Sequence, residues 1–148
     1  MRFTASIEYA IHGLVYLAKV PMGTAVLISS IAETVGVSEA SLRKVFQQLC
    51  RSGILTSQRG AQGGFRLARD SAQINLKNVV EAIDGSLPMY SCLKVVRGCS
   101  LSKACPIQVA FEEARLKMGA VLADTSIRDL LADISQQQPA AEWLKVTV

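Results

Sequence analysis

The sequence predicts a mostly helical fold: a winged helix-turn-helix with a two-stranded wing and a long C-terminal dimerisation helix. Three observations carry that expectation. Two short amphipathic segments flank the turn Gly36-Val37-Ser38. Two strand candidates, residues 54–57 and 65–68, then bracket a glycine-rich loop. Finally, the longest helical periodicity of the chain opens at Pro106. With 148 residues, 50% hydrophobic and 19% charged, the chain can bury one core and is unlike a disordered acidic tail.

Taken in order, residues 4–20 form a first helix. Ile7, Ala10, Ile11, Leu14 and Ala18 make one apolar face, Thr4 stands at the capping position, and Pro21 with Gly23 ends it. Glu8 and His12, one turn apart, lie off that face. Ile28, Ile31, Ala32 and Val35 mark a second helix that stops at Gly36. Ser38 caps a third, in which Leu42, Val45, Phe46 and Leu49 repeat at helical spacing. Residues 75–84 make a short helix ending at Gly85. After Pro106 the stripe is Ile107, Ala110, Phe111, Ala114, Met118, Val121 and Leu122, followed by a last helix carrying Ile127, Leu130, Leu131 and Ile134. The expected division is a winged domain over 1–85, a cysteine-bearing loop over 86–105, dimerisation helices over 106–135, and a loosely ordered tail over 136–148.

Charge is distributed unevenly. Residues 1–69 hold eight Lys/Arg against three acids, whereas residues 70–148 hold eight against nine, so the net charge of +4 belongs to the first half. A polyanion partner for that half is the physical implication. The polar side of the third helix carries Ser41, Arg43, Lys44, Gln47, Gln48 and Arg51 with no acid after Glu39. An ordinary solvated helix face mixes both signs, so this one fits a recognition helix in a DNA major groove. In the loop Gln58-Arg59-Gly60-Ala61-Gln62-Gly63-Gly64, glycines permit close backbone approach and Arg59 suits a narrow groove. Candidate DNA-binding residues are Arg2, Ser38, Ser41, Arg43, Lys44, Gln47, Arg59, Gly60 and Arg66. A long apolar helix outside a small winged domain needs a cover. A second copy of the same helix supplies one, and a two-fold dimer would meet a pseudo-palindromic double-stranded operator.

Three of the four cysteines, Cys92, Cys99 and Cys105, fall in a C-x6-C-x5-C segment running into Pro106. Cys105 stands at a helix start, where the helix dipole favours negative charge, and Lys94, Arg97 and Lys103 add cations. The segment suits an iron–sulfur cluster, a zinc ion or a reversible disulfide. No His, Asp or Glu lies between Cys92 and Glu112, so a fourth ligand must come from elsewhere; Glu8 and His12 are the candidates. Cys50, beside Phe46 and Leu49, reads as a small core residue.

Together the pieces resemble the Rrf-type winged-helix regulators of bacteria, which include an iron–sulfur cluster regulator and a nitric-oxide-sensing repressor. The stretches that carry the resemblance are Met1-Arg2-Phe3-Thr4 with Tyr9-Ala10, Ile31-Ala32 and Gly36-Val37-Ser38. The most specific are Gly53-Ile54-Leu55-Thr56-Ser57-Gln58-Arg59-Gly60 and Gly63-Gly64-Phe65-Arg66-Leu67-Ala68. Val80-Glu81-Ala82-Ile83-Asp84-Gly85 and the cysteine segment extend it. The resemblance implies a homodimeric transcription factor whose DNA affinity is set by a 2Fe–2S or 4Fe–4S cluster on Cys92, Cys99 and Cys105, with zinc the less favoured occupant. It places Ser38, Ser41, Arg43 and Lys44 on the recognition helix and Arg59 at the wing tip. It also puts Glu8 where one branch draws an acidic ligand from the second subunit. The chain differs from another branch in having Pro106-Ile107-Gln108, without a histidine, after the third cysteine, and one extra residue between the first two.

The expected function is therefore a cytoplasmic DNA-binding regulator, a repressor, sensing redox, nitric oxide or iron–sulfur status. The alternative is a cluster-free member controlled by a cysteine disulfide, a structural zinc or a protein partner. No small-molecule substrate and no membrane are expected, since no uninterrupted apolar run is long enough to span a bilayer and the N-terminus lacks a secretory pattern. An enzyme is not expected either: the chain has one histidine, and no nucleophile–base set is apparent.

Overall fold

A computed structural model describes residues 3–60, 63–86 and 105–137. Within them the order is α1 (Ala5–Lys19), α2 (Ile28–Val35), α3 (Glu39–Arg51), β1 (Leu55–Gln58), β2 (Gly64–Leu67), α4 (Leu76–Asp84), α5 (Pro106–Asp124) and α6 (Ile127–Gln136), with one 3-10 turn at Ser71–Gln73. This is the mostly helical winged-helix architecture the sequence predicts. The periodic apolar residues go inside: Leu14, Ile31, Leu42, Phe46 and Leu49 are fully buried and join Ile54, Leu55 and Ile74 in one core. Among the described residues no helix is long and apolar enough to cross a membrane.

Local chemistry sets the element ends. Gly36 closes α2 in the left-handed region at φ 75°, donating its N–H to the Ala32 carbonyl at 2.9 Å. Ser38 then caps α3, its Oγ accepting from the Ser41 N–H at 3.2 Å. Thr4 occupies the capping position of α1 but makes no side-chain cap bond there. Its hydroxyl instead donates to Asp84 Oδ1 at 2.9 Å, fastening the start of α1 to the end of α4.

β1 and β2 pair antiparallel, with Leu55 opposite Leu67 and Ser57 opposite Phe65. The wing has a third member the sequence reading does not anticipate. Val26, in the α1–α2 connection, exchanges both backbone hydrogen bonds with Phe65 at 2.9 Å. A Cβ on Gly64 would come within 2.3 Å of the Val26 carbonyl oxygen, so this close approach demands glycine.

α6 and α5 behave differently, although the sequence reading groups them. α6 folds back onto α1: Ile127 is fully buried in the winged-domain core, with Leu130, Leu131 and Ile134 packed around it. Two backbone bonds pin its start, from the Ile127 N–H to the Ile74 carbonyl at 2.8 Å and from the Leu76 N–H to the Thr125 carbonyl at 2.9 Å. On α5, Met118 and Leu122 cover Ile7 and Val80. Ile107, Val109, Phe111, Leu116 and Val121 of the same helix are left exposed.

One position in the core tests the packing directly. A Cβ on Gly13 of α1 would lie 2.6 Å from Phe46 Cε1 and 2.7 Å from Cζ. Gly13→Ala gains about 1 kcal/mol of helix propensity, but overpacking a closed core costs about 1–3 kcal/mol. Because Phe46 is a rigid ring fully enclosed by its neighbours, the clash wins and the variant is expected to unfold at lower urea. A midpoint at or above that of the parent would contradict this packing.

Candidate nucleic-acid interface and cysteine segment

The α2–turn–α3 unit and the wing place most of the predicted contact residues on exposed surface. Arg43, Lys44, Gln47, Arg59, Gly60 and Arg66 are exposed, and Ser41 is half-buried. Arg2 lies outside the described residues. Ser38 is committed locally, since its hydroxyl donates to Ser41 Oγ at 2.8 Å while capping α3. Arg43 forms an ion pair with Glu39 one turn earlier. Arg66 lies along the wing, its Nε donating to Thr56 Oγ1 at 3.2 Å. At the wing tip Gly60 sits at φ 105° and its carbonyl accepts from the Gly63 N–H at 2.8 Å. A side chain at Gly63 would strike the carbonyls of Gln58 and Gly60, so the loop is built for glycine at that point.

Ion pairing separates the two halves of the molecule. Every basic residue described beyond Asp70 has a carboxylate partner: Lys77 with Glu81, Arg115 with Glu112, Lys117 with Glu113, and Arg128 with Asp70. Among the described residues, Lys44, Arg51, Arg59, Arg66 and Arg69 have none, the last two bonding only to neutral groups. The positive charge that the first half carries in its composition is therefore left without carboxylate partners at Lys44 and Arg51 of α3, at Arg59 and Arg66 of the wing, and at Arg69 just after it.

The acidic side chains of α5 do not make a catalytic pair. Glu112 and Glu113 are exposed and each is bound to a cation one turn on. The Arg115 guanidinium, hydrogen-bonded to Glu112, holds that carboxyl below its ordinary range, the opposite of what a general base at neutral pH needs.

The proposed cluster ligands are only partly within the described region. Cys92 and Cys99 lie outside it. Cys105 is buried, with 7% exposure, at the head of α5, and makes no side-chain cap bond. Among the described residues no three His, Cys, Asp or Glu side chains converge as a metal site. Glu8 lies on an open groove of about 700 Å³ at the start of α1, walled by Phe3, Ile7, Ile11 and His12. His12 Nδ1 is 2.8 Å from the Glu8 carbonyl oxygen. A carbonyl only accepts, so Nδ1 carries the hydrogen and the imidazole is orientated by its own helix. The donor set fits an iron–sulfur centre in kind: three thiols with a carboxylate in reserve, one thiol being withdrawn from water. Cys50 behaves as a core residue, packed against the main cluster with its thiol pushed up by burial.

Sequence reasoning passed over two residues of this surface. Ser6 and Tyr9 on α1 share a groove with α3, but the sequence reading of that helix covers its apolar stripe, Glu8 and His12 as ligands, and the resemblance carried by Tyr9-Ala10, not a surface shared with α3. Their one signal is that both are polar residues three apart beside that stripe.

Comparison with known proteins places this geometry. Residues 3–133 match the model of the Rrf2 family, described as an iron-dependent transcriptional regulator. Among solved structures, IscR of T. potens is 25% identical over 93% of this chain and 91% of its own, with a TM-score of 0.72. CymR (YrzC), described as the global cysteine regulator of B. subtilis, is 24% identical over 89% of this chain and 97% of its own, with a TM-score of 0.71. The oxidized form of Staphylococcus aureus CymR is 23% identical over 88% and 96%, with a TM-score of 0.70.

Proposed function

The chain belongs to the Rrf2 family of transcriptional regulators, and on that premise we propose that it is a homodimeric repressor whose hold on a double-stranded, pseudo-palindromic operator is controlled by an iron–sulfur cluster. The family and the solved neighbours are regulators rather than enzymes. The observation that carries the DNA reading is the ion-pair asymmetry: cations without partners lie on α3 and the wing, while the described cations beyond residue 70 are neutralised.

In this reading α3 enters the major groove. Lys44, Gln47 and Ser41 address base edges, and Arg43 reaches a base or phosphate by giving up Glu39. Arg59 and Gly60 place the wing against the adjacent backbone or minor groove. The exposed apolar residues Ile107, Phe111 and Val121 of α5 are covered by the second copy. Cys92, Cys99 and Cys105, with Glu8 from the facing protomer, would hold a 2Fe–2S or 4Fe–4S cluster. Such a group supplies a centre whose charge and integrity change with redox state, nitric oxide or iron supply. On the protein side, the Thr4–Asp84 bond ties α1 to the residue that precedes Gly85 and the cysteine segment. That bond links the start of the ligand-bearing segment to α1 of the same protomer, whose own Glu8 would serve the partner's cluster.

Replacing Arg59 with alanine is expected to weaken operator binding about fivefold per protomer near physiological salt and to lower the slope of log affinity against log salt by about one per protomer. Titration of a labelled operator at several salt concentrations checks both, and an unchanged slope would remove Arg59 from the interface. The cluster itself is tested by native mass spectrometry of protein purified without oxygen. A dimer carrying iron and sulfide masses is the expected result, and those masses distinguish the two cluster types. Zinc alone would make the cysteine segment structural. A bare dimer that also failed reconstitution with iron and sulfide would favour control by a disulfide or a protein partner.

A further inference from the structure

Between α1 and α3 runs a second groove, of about 500 Å³, lined by Ser6 and Tyr9 from α1 and by Ser41, Lys44, Gln47, Gln48 and Arg51, among others, from α3. The spacing is what helical geometry requires for a continuous trough. Lys44, Gln48 and Arg51 lie at i, i+4 and i+7, along one side of α3 and about 10 Å from end to end. Ser6 and Tyr9 lie one turn apart on the facing helix. No acidic side chain lines the trough, and its two cations have no carboxylate partner among the described residues. Tyr9 is half-buried and packs against the main core, so the residue that presents its hydroxyl here is already held in place.

Resting on the DNA reading above, we propose that this trough is a backbone-phosphate clamp: with α3 in the major groove, phosphates of the flanking strand lie in it. Arg51 and Lys44 supply the charge, and Tyr9, Ser6 and Gln48 donate neutral hydrogen bonds. The chemistry of the lining argues for this occupant. Seven side chains that can donate, two of them cationic and none anionic, suit an anion with several acceptor oxygens. The trough also lies between α1 and the side of α3 that carries Lys44 and Gln47, so the backbone beside the bases those residues address passes over it. Base reading and phosphate clamping thereby share one face of α3, with Ser41 and Gln47 at the two rims of the trough and Lys44, Gln48 and Arg51 between them. α1 acts as the fixed jaw that sets how deeply α3 seats.

The proposal separates charge from hydrogen bonding, and the test uses that separation. Full-length protein is allowed to select a duplex from a random-sequence pool. Affinity for that duplex and for an unrelated one is then measured against salt for Arg51→Gln, Tyr9→Phe and Lys77→Gln. Arg51→Gln is expected to weaken both duplexes by about fivefold per protomer and to lower the salt slope by about one per protomer. Tyr9→Phe is expected to weaken both about threefold with the slope unchanged, because a neutral donor releases no counterion. Lys77, already paired with Glu81 on α4, serves as the control and is expected to change neither. Wild-type binding with parental affinity and slope in both Arg51→Gln and Tyr9→Phe would overturn the clamp and leave the DNA reading standing. So would a loss confined to the selected duplex, since that is the signature of base reading. Failure of the wild-type protein to retain any duplex would overturn the DNA reading and the clamp together.

Discussion

Replacing Cys105 with alanine is expected to give a folded protein that holds neither iron nor sulfide. The fold should survive because of what Cys105 does not do. It stands at the N-cap of α5 yet makes no side-chain cap bond, so alanine removes no hydrogen bond from the helix start. Pro106 at the first helical position continues to fix the backbone there. What is lost structurally is one buried sulfur, a cost of about 1 kcal/mol against a domain stability of roughly 5–15 kcal/mol. What is lost chemically is a third of the proposed thiol donors, so the cluster would be left with two thiolates and one carboxylate and without one of its soft ligands. Metal and acid-labile sulfide analysis, paired with a thermal melt, checks both halves. Retained stoichiometric iron and sulfide would show that the ligand assignment is wrong, whereas a collapsed melt would show that Cys105 is a structural residue first.

Phe46→Ala is the substitution expected to damage the molecule most, by about 3–5 kcal/mol. Phe46 is fully buried and sits where three elements meet. Its ring faces Gly13 of α1, and it meets Phe65 of β2 edge-on with centroids 5.1 Å apart at 77°. Removing the ring opens a cavity between α1, α3 and the wing, and the neighbouring glycine has no side chain with which to fill it. The effect reaches function because α3 carries the contact residues on its other side, so loosened packing frees the recognition helix to move relative to the wing. Denaturant unfolding measures the first effect. Loss of affinity beyond the fraction unfolded measures the second. A stability loss under about 1.5 kcal/mol, the ordinary range for a well-tolerated core change, would contradict the central position given to this ring.

Much of the fold was legible because the winged domain obeys local rules. The stripe Leu42, Val45, Phe46 and Leu49 is buried as the spacing predicts, Ser38 caps, and Gly36 turns. Strand boundaries shift by one residue, to Leu55–Gln58 and Gly64–Leu67, because ladder pairing rather than composition decides where a strand ends. Less could be read where the decision is tertiary. Thr4 looks like a cap in sequence but spends its hydroxyl on Asp84, eighty residues away. Val26 joins the wing through two backbone bonds that no side-chain pattern records. On α5 the predicted stripe captures Met118 and Leu122, which pack, but not Val109 and Leu116, which lie on the opposite side at 100° per residue. A helix with apolar residues on two sides has more than one surface to cover, and periodicity alone reports only the stronger one. At the candidate site, sequence named the charged residues but could not tell that Arg43 is paired while Lys44, Arg51 and Arg59 are not. That distinction depends on which carboxylates come within reach.

The central claim is that one chemical event at the cysteine segment changes affinity for DNA. It is tested most directly by titrating a selected operator with the same dimer before and after its cluster is removed under anoxic conditions, with protein concentration and salt held constant. A change in affinity of roughly five- to 150-fold, the range of ordinary coupling between two sites, is the result this account predicts. Equal affinity of the loaded and stripped dimers, with both shown by mass to be intact, would contradict it.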